Sequence, residues 1–196
     1  PRQEVKCGDV LGTAGGFVSA PVHASVDGKT AALTTALIVT GRRVPAVPIQ
    51  TAPPGPANLE DQLREFLAPP ASDVAPVDRI EPERIVEAAK QAGLVGLGGA
   101  TFPTHVKLTR MKGREIDTVV LNGSECEPCL TADDRLMREA PELIVRGLLL
   151  VKRATGARRA VIAIEDNKPE AFACMEKAAA GLADIEVVRC LTKYPM

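Results

Sequence analysis

The chain has 196 residues, 45% apolar and 25% charged, with a formal net charge of −1, which is room for one large domain or two small ones with a real core. The balanced charge excludes the basic field of a nucleic-acid binder, and the absence of Trp beside a single Tyr removes the platforms on which bases stack. Five cysteines, at 7, 126, 129, 174 and 190, do not pair into a disulfide framework and fit a reducing compartment.

The first residues carry charge and glycine instead of the apolar run of a signal peptide. The apolar stretch at 148–151 is far short of a membrane span, so no direct span is expected. The chain starts without Met inside what reads as a strand, and stops at Lys193-Tyr194-Pro195-Met196 without a cap or polar tail. A piece of a longer protein is therefore expected.

Residues 1–52 read as a small β domain of barrel-sandwich type. Short apolar runs at 17–20, 31–33, 37–40 and 44–49 are separated by glycine turn signals, of which Asp27-Gly28 is the strongest hairpin cue. Pro45 and Pro48 demote the last run to an edge strand. Residues 53–82 form a proline-rich connector with a short helix predicted at 58–67, capped by Asn58. From 83 to 196 helices and strands alternate: helix 83–92, glycine loop 93–101, helix 103–111, strand 117–121, helices 132–138 and 141–155, strand 159–164, helix 169–182 capped by Asp166 or Asn167, and strand 185–189. Apolar strands separated by helices predict a parallel sheet covered on both faces. The expected fold class is α/β, a Rossmann-like parallel sheet preceded by the small β domain.

Two segments carry chemistry. In the first, Gly93, Gly96, Gly98 and Gly99 fall within seven residues ahead of a helix that contains Lys107. Such a loop brings backbone N–H groups close to an anion, and Lys107 reaches toward the same phosphate. A tight helix-to-helix turn is the plain alternative. The loop follows a helix and has Thr101 where a third glycine belongs, so it is not a dinucleotide fingerprint. No Gly-Lys-Ser/Thr follows, which excludes a Walker loop.

The second segment is Asn122-Gly-Ser124-Glu125-Cys126-Glu127-Pro128, at the C-terminal end of a predicted parallel strand, where open α/β sheets bind ligands. Its amide, hydroxyl and carboxylates suit hydroxyls, ribose or a heterocycle edge, whereas the glycine loop suits phosphate. A solvated loop capping the next helix is the alternative. Cys126 and Cys129 have redox spacing, but Glu125 and Glu127 oppose a thiolate. Thr131 with Asp133 and Asp134 reads as a helix start. The turn 165–169 reads as a cap that also lies at the ligand edge of the sheet. His23 reads as a packing residue, and His105 as a phosphate neighbour or a surface helix position. Lys29, after Asp27-Gly28, is similar to the turn lysine of a swinging-arm domain but lacks its acidic flank.

At these segments the chain resembles a known family. Residues 95–107 (Val-Gly-Leu-Gly-Gly-Ala-Thr-Phe-Pro-Thr-His-Val-Lys) are similar to the glycine-rich loop of the RnfC proteins of Rnf electron transport complexes and, more distantly, of the flavin-bearing subunit of respiratory complex I. Residues 122–137 and 164–171 resemble the next two family segments, and residues 16–28 the barrel-sandwich domain that precedes them. The resemblance implies FMN on the glycine loop, NADH stacked against it, and electrons passing to 4Fe-4S clusters outside this chain and to other Rnf subunits, reaching ferredoxin indirectly. It implies a peripheral subunit on the cytoplasmic face of the cell membrane, coupled to ion transport. Carried onto matching positions, Gly96, Gly98, Gly99 and Ala100 line the flavin phosphate and NADH. Lys107 contacts the phosphate, Asn122 and Ser124 hold the ribityl chain or ring, and Glu125 and Glu127 complete the set, Glu127 near the nicotinamide nucleotide. No protein acid or base is required, and no metal ligand is expected here. Thr101 departs from a glycine common in the motif, Leu97 stands where the complex I version has Arg, and the next flavin segment begins near Tyr194. The flavin module of a cobalamin reductase and a non-catalytic docking subunit are the alternatives.

Overall fold

The computed structural model describes residues 2–52, 76–97, 100–110, 113, 115–125 and 127–193. Most of the predicted connector with its helix at 58–67, Gly98 and Gly99 of the glycine loop, and Cys126 lie outside the described residues. The chain divides into two compact units, one of Pro1–Asn58 with Glu87–Lys107 and one of Leu59–Val86 with Leu108–Met196.

The first unit contains β1 (Glu4–Val5), β2 (Val10–Gly12), β3 (Val22–His23), β4 (Gly28–Thr30), β5 (Thr34–Leu37), β6 (Arg43–Ala46) and β7 (Ile49–Gln50). Antiparallel β1, β4 and β7 form a three-stranded sheet with β4 central, while β2–β3 and β5–β6 are separate pairs. The strands are two to four residues long, so side-chain and loop bonds complete them. Gln3 N–H donates to Thr30 Oγ1 at 3.0 Å, and Cys7 N–H to Asp27 Oδ1 at 2.6 Å. Val5 and Ala24 are the buried apolar side chains of this β region.

Several boundaries differ from the sequence expectation. Residues 17–20 form no strand, because Phe17 and Val18 are exposed and the apolar signal there is not a core signal. Asp27-Gly28 is not a hairpin turn: Gly28 opens β4, where a Cβ would lie 2.5 Å from the Gln50 carbonyl of β7. Lys29 consequently sits in the central strand between Glu4 and Gln50, not at a turn. Pro45 lies in β6, which pairs only with β5 among the described strands, as an edge strand should.

Helix α1 (Pro82–Gln91) starts on proline, and α2 (Thr104–Leu108) follows the glycine loop. The second unit then runs β8 (Thr118–Asn122), α3 (Ala132–Glu139), α4 (Pro141–Thr155), β9 (Arg159–Glu165), α5 (Pro169–Ala179) and β10 (Ile185–Cys190). The strands are parallel in the order β10-β9-β8, with Val120 opposite Val161 and Val188 opposite Ala163. Ala160, Ile162 and Ile164 of β9 alternate inward against Val145 and Leu148 of α4 and Ala171, Phe172 and Met175 of α5. The described helices of this unit therefore cover one face of the sheet. On the opposite face, Val120 is 61% exposed. The expectation of helices on both faces is met on one face only within this unit.

The caps also differ from expectation. Helix α3 has Thr131 at its N-cap without a side-chain bond, and α5 has Lys168 there, also without one. Asp166 instead accepts the Thr192 N–H at 3.0 Å and hydroxyl at 2.5 Å, tying the β9 turn to the segment after β10. At the end of α4, Gly156 takes the left-handed cap, and the Arg110 guanidinium donates to the Ala154 and Arg153 carbonyls at 2.9 and 3.1 Å. Among the described residues no helix is long and apolar enough to cross a membrane.

Candidate functional site

The glycine loop belongs to the first unit. Val95 and Pro103 form an antiparallel bridge. Gly96 N–H donates to the Phe102 carbonyl and Thr104 N–H to the Leu94 carbonyl, each at 2.9 Å. These bonds close a neck and push the intervening residues outward, with Leu97 93% exposed and Ala100 exposed. Thr101 has φ +50, the left-handed region that a β-branched residue enters only under strain. The glycine common at this position in the resembling motif would adopt it without penalty. The Thr101 hydroxyl donates to the Ala100 carbonyl at 2.8 Å.

Lys107 is exposed at the end of this unit. Its Nζ lies 3.6 Å from where a Cβ on Gly96 would stand, and 5.9 Å from the Phe102 ring centroid. Lys107 forms no ion pair among the described residues. Two of the sequence-predicted residues, Gly96 and Lys107, are thus brought together: an ammonium without a carboxylate beside a backbone without a side chain. That donor set fits a phosphate.

His105 is neither a surface residue nor a phosphate neighbour. It is 2% exposed, and its Nε2 donates to the Phe17 carbonyl at 3.0 Å. His23 packs against Gly93, as a packing residue should.

The second segment is in the other unit, at the C-terminal edge of the β8–β9–β10 sheet. Asn122 ends β8 and its Oδ1 accepts the Ser124 N–H at 3.1 Å, which leaves the Asn122 amide NH₂ pointing away from the turn as a donor. Gly123 passes where a Cβ would lie 2.9 Å from Met137 Sδ and 3.1 Å from the Ala163 carbonyl, so only glycine fits. Ser124 is buried and Glu127 exposed.

Glu125 is held from three sides. Its N–H donates to Glu165 Oε2 at 3.0 Å, its Oε1 accepts the Asp133 N–H at 3.0 Å, and its Oε2 is 3.0 Å from Lys168 Nζ. It therefore supplies the cap of α3 that Thr131 does not. Burial pushes the Glu125 carboxyl up, but the Lys168 ammonium and the Asp133 amide outweigh burial and hold it below the usual range. The same contact with Glu125 raises Lys168, whereas burial and then the Glu125 charge raise Asp133.

Glu165 and Lys168 are the residues that sequence reasoning left out of the set. Glu165 is 1% exposed, and its Oε1 has no hydrogen-bond partner among the described residues. A buried carboxylate oxygen left open at a sheet's ligand edge fits an N–H or O–H donor from a bound molecule. The available signal was the third resembling segment, residues 164–171, read only as a turn. Cys129 is a free, exposed thiol at φ +69. Among the described residues no group of His, Cys, Asp and Glu is arranged to hold a metal ion.

Comparison with known proteins finds two families along the chain. Residues 89–196 match the Nuo51 FMN-binding domain, and residues 1–53 the RnfC barrel sandwich hybrid domain. The chain is 40% identical over 188 residues to the RnfC-type component of the Na⁺-translocating ferredoxin:NAD⁺ oxidoreductase complex of Acetobacterium woodii, covering 96% of this chain and 40% of that one. It is 34% identical to the proton-translocating counterpart of Clostridium ljungdahlii, covering 98% of this chain and 40% of that one. It is 37% identical to the corresponding component of the ion-translocating oxidoreductase complex of Rhodobacter capsulatus, covering 96% and 35%. The chain thus spans about two fifths of the length of these relatives. Among solved structures, the NAD⁺-reducing [NiFe]-hydrogenase in its H₂-reduced state aligns with a TM-score of 0.49 at 27% identity, covering 62% of this chain and 24% of that one.

Proposed function

The chain belongs to the Nuo51 FMN-binding domain family, in the form that carries the RnfC barrel sandwich domain ahead of it, and we propose that it is part of the electron-input subunit of a membrane-associated ferredoxin:NAD⁺ oxidoreductase complex of Rnf type. The observation that carries the site is Lys107 Nζ beside Gly96 at the neck of the glycine loop. In this assignment Lys107 and the loop 96–100, including Gly98 and Gly99, hold the FMN phosphate. Asn122 donates its amide to the ribityl chain or ring, and Glu165 Oε1 accepts from the bound molecule. Glu127, exposed after the turn, accepts a ribose hydroxyl of NADH. Glu125 orients the loop through Lys168 and the α3 amide.

FMN, when bound, supplies the exchange between hydride and single electrons, so the protein has no proton to move at the reacting atom. What the residues contribute is placement. The glycine loop admits phosphate close to backbone, and the Glu125–Lys168–Glu165 group fixes the edge of the sheet. Iron–sulfur clusters, the other Rnf subunits and the coupled ion path lie outside this chain. Ferredoxin is reached through them, with the subunit docked on the cytoplasmic face of the membrane.

The test is to purify the full-length protein, identify its extracted flavin, and add NADH anaerobically. FMN whose visible absorbance bleaches with NADH supports the assignment. A protein that carries no flavin and takes up none sinks it.

A further inference from the structure

The match to two separate domains describes the β region and the flavin module as neighbours in sequence. The contacts inside the first unit say more. The segment 17–23 of the β region touches both ends of the glycine loop. At the leading end, Gly93 has φ +66 and passes so close to this segment that a Cβ would lie 2.6 Å from the Pro21 carbonyl and 3.2 Å from the His23 ring. At the trailing end, His105 Nε2 is 3.0 Å from the Phe17 carbonyl, and the two rings meet edge to face at 6.0 Å. A carbonyl only accepts, so Nε2 carries the proton. His105 is 2% exposed on a helix of five residues, too short to hold itself in place. Between these two contacts lie the neck bonds of Gly96 and Thr104, and beyond them Lys107.

We propose that His105 is a positioning residue through which the N-terminal β region clamps the glycine loop, so that the loop's hold on a phosphate depends on that β region being docked. The proposal rests on the flavin reading of the loop for its consequence, but not for the clamp itself. The geometry explains why a buried histidine stands two residues before Lys107: it fixes the helix that carries the ammonium.

The test uses the full-length protein and three variants, His105→Leu, His105→Gln and Phe17→Ala. Leucine keeps volume without a donor, and the glutamine amide can donate to the Phe17 carbonyl. Amide hydrogen exchange is read at Gly96 and Thr104 in the neck, with Gly8 and Ala31, bonded within the β region, as controls. His105→Leu is expected to speed neck exchange about tenfold, the loss of one hydrogen bond, leaving the controls unchanged. His105→Gln is expected to restore protection, which a purely bulk-packing role would not do. If His105→Leu exposes the controls as well, Phe17→Ala, which trims an exposed ring, is the informative variant and still raises neck exchange about threefold. Unchanged neck exchange in both would overturn the clamp. FMN affinity, measured in parallel, separates the two ideas. Faster neck exchange with weaker FMN binding supports both, while faster neck exchange with unaltered binding sustains the clamp and refutes the loop as the phosphate holder.

Discussion

Replacing Lys168 by Met tests whether the Glu125–Lys168–Glu165 group holds the ligand edge of the sheet. The Glu125 side chain is 5% exposed and that of Lys168 15%, with Nζ 3.0 Å from Oε2. Methionine keeps most of the volume but leaves two buried carboxylates, Glu125 and Glu165, without a cation. Stranding one member of a buried pair costs about 3–5 kcal/mol. The double variant Glu125→Gln with Lys168→Met should cost less than Lys168→Met alone, because no charge is stranded and the glutamine carbonyl still accepts the Asp133 N–H.

The pH dependence has a definite sign. In the parent protein the Glu125 carboxyl lies below its unfolded value. Its contribution to stability is therefore present above about pH 4 and lost as pH falls through the folded value. In Lys168→Met burial acts with less opposition and the folded value moves upward. The variant therefore regains stability as pH falls from about 7 to about 5, where the parent does not. Urea unfolding followed by far-ultraviolet circular dichroism reads both effects. A loss under about 1 kcal/mol at neutral pH, or a gap that fails to narrow at about pH 5, refutes the reasoning.

Gly96→Ala meets only ordinary contacts, the nearest being Lys107 Nζ at 3.6 Å. Thermal stability should therefore hold while FMN affinity of the full-length protein falls about tenfold, read by flavin fluorescence; an equal affinity contradicts it. Thr101→Gly relieves a threonine at φ +50 and is expected to raise stability of the first unit by about 1 kcal/mol, the strain relieved less the glycine entropy, in a denaturant titration. Gly123→Ala drives a methyl to 2.9 Å from Met137 Sδ and 3.1 Å from the Ala163 carbonyl, and should destabilise the second unit by about 1–3 kcal/mol; a neutral result would mean that the turn gives way.

The second half of the chain was legible because its signals are core signals. The spans of α4 and β9 follow from Pro141 and from the apolar alternation that ends as Ile162 and Ile164, both wholly buried. The first fifty residues were less so. Phe17, Val18 and Leu33 are apolar yet exposed, and strands of two to four residues give no usable period. Local caps misled as well. Thr131 and Asp166 sit where cap residues belong, but Glu125 from the preceding loop bonds the α3 amide, and Asp166 turns to Thr192. Such partners are distant in sequence, and local pattern cannot reveal them. Lys107 was legible from its spacing to the glycines. Glu165 was not, because only burial shows that its second oxygen is open.

The central claim is that this chain binds FMN and that its glycine loop and its Asn122 turn each contribute to the affinity. FMN titration of the full-length protein against Lys107→Ala and Asn122→Ala tests it most directly, with one variant in each segment. The account predicts that the parent binds FMN and that each substitution weakens binding about tenfold or more, the loss of a hydrogen bond to a charged or polar group. A parent that does not bind, or variants that bind as tightly as the parent, would contradict it.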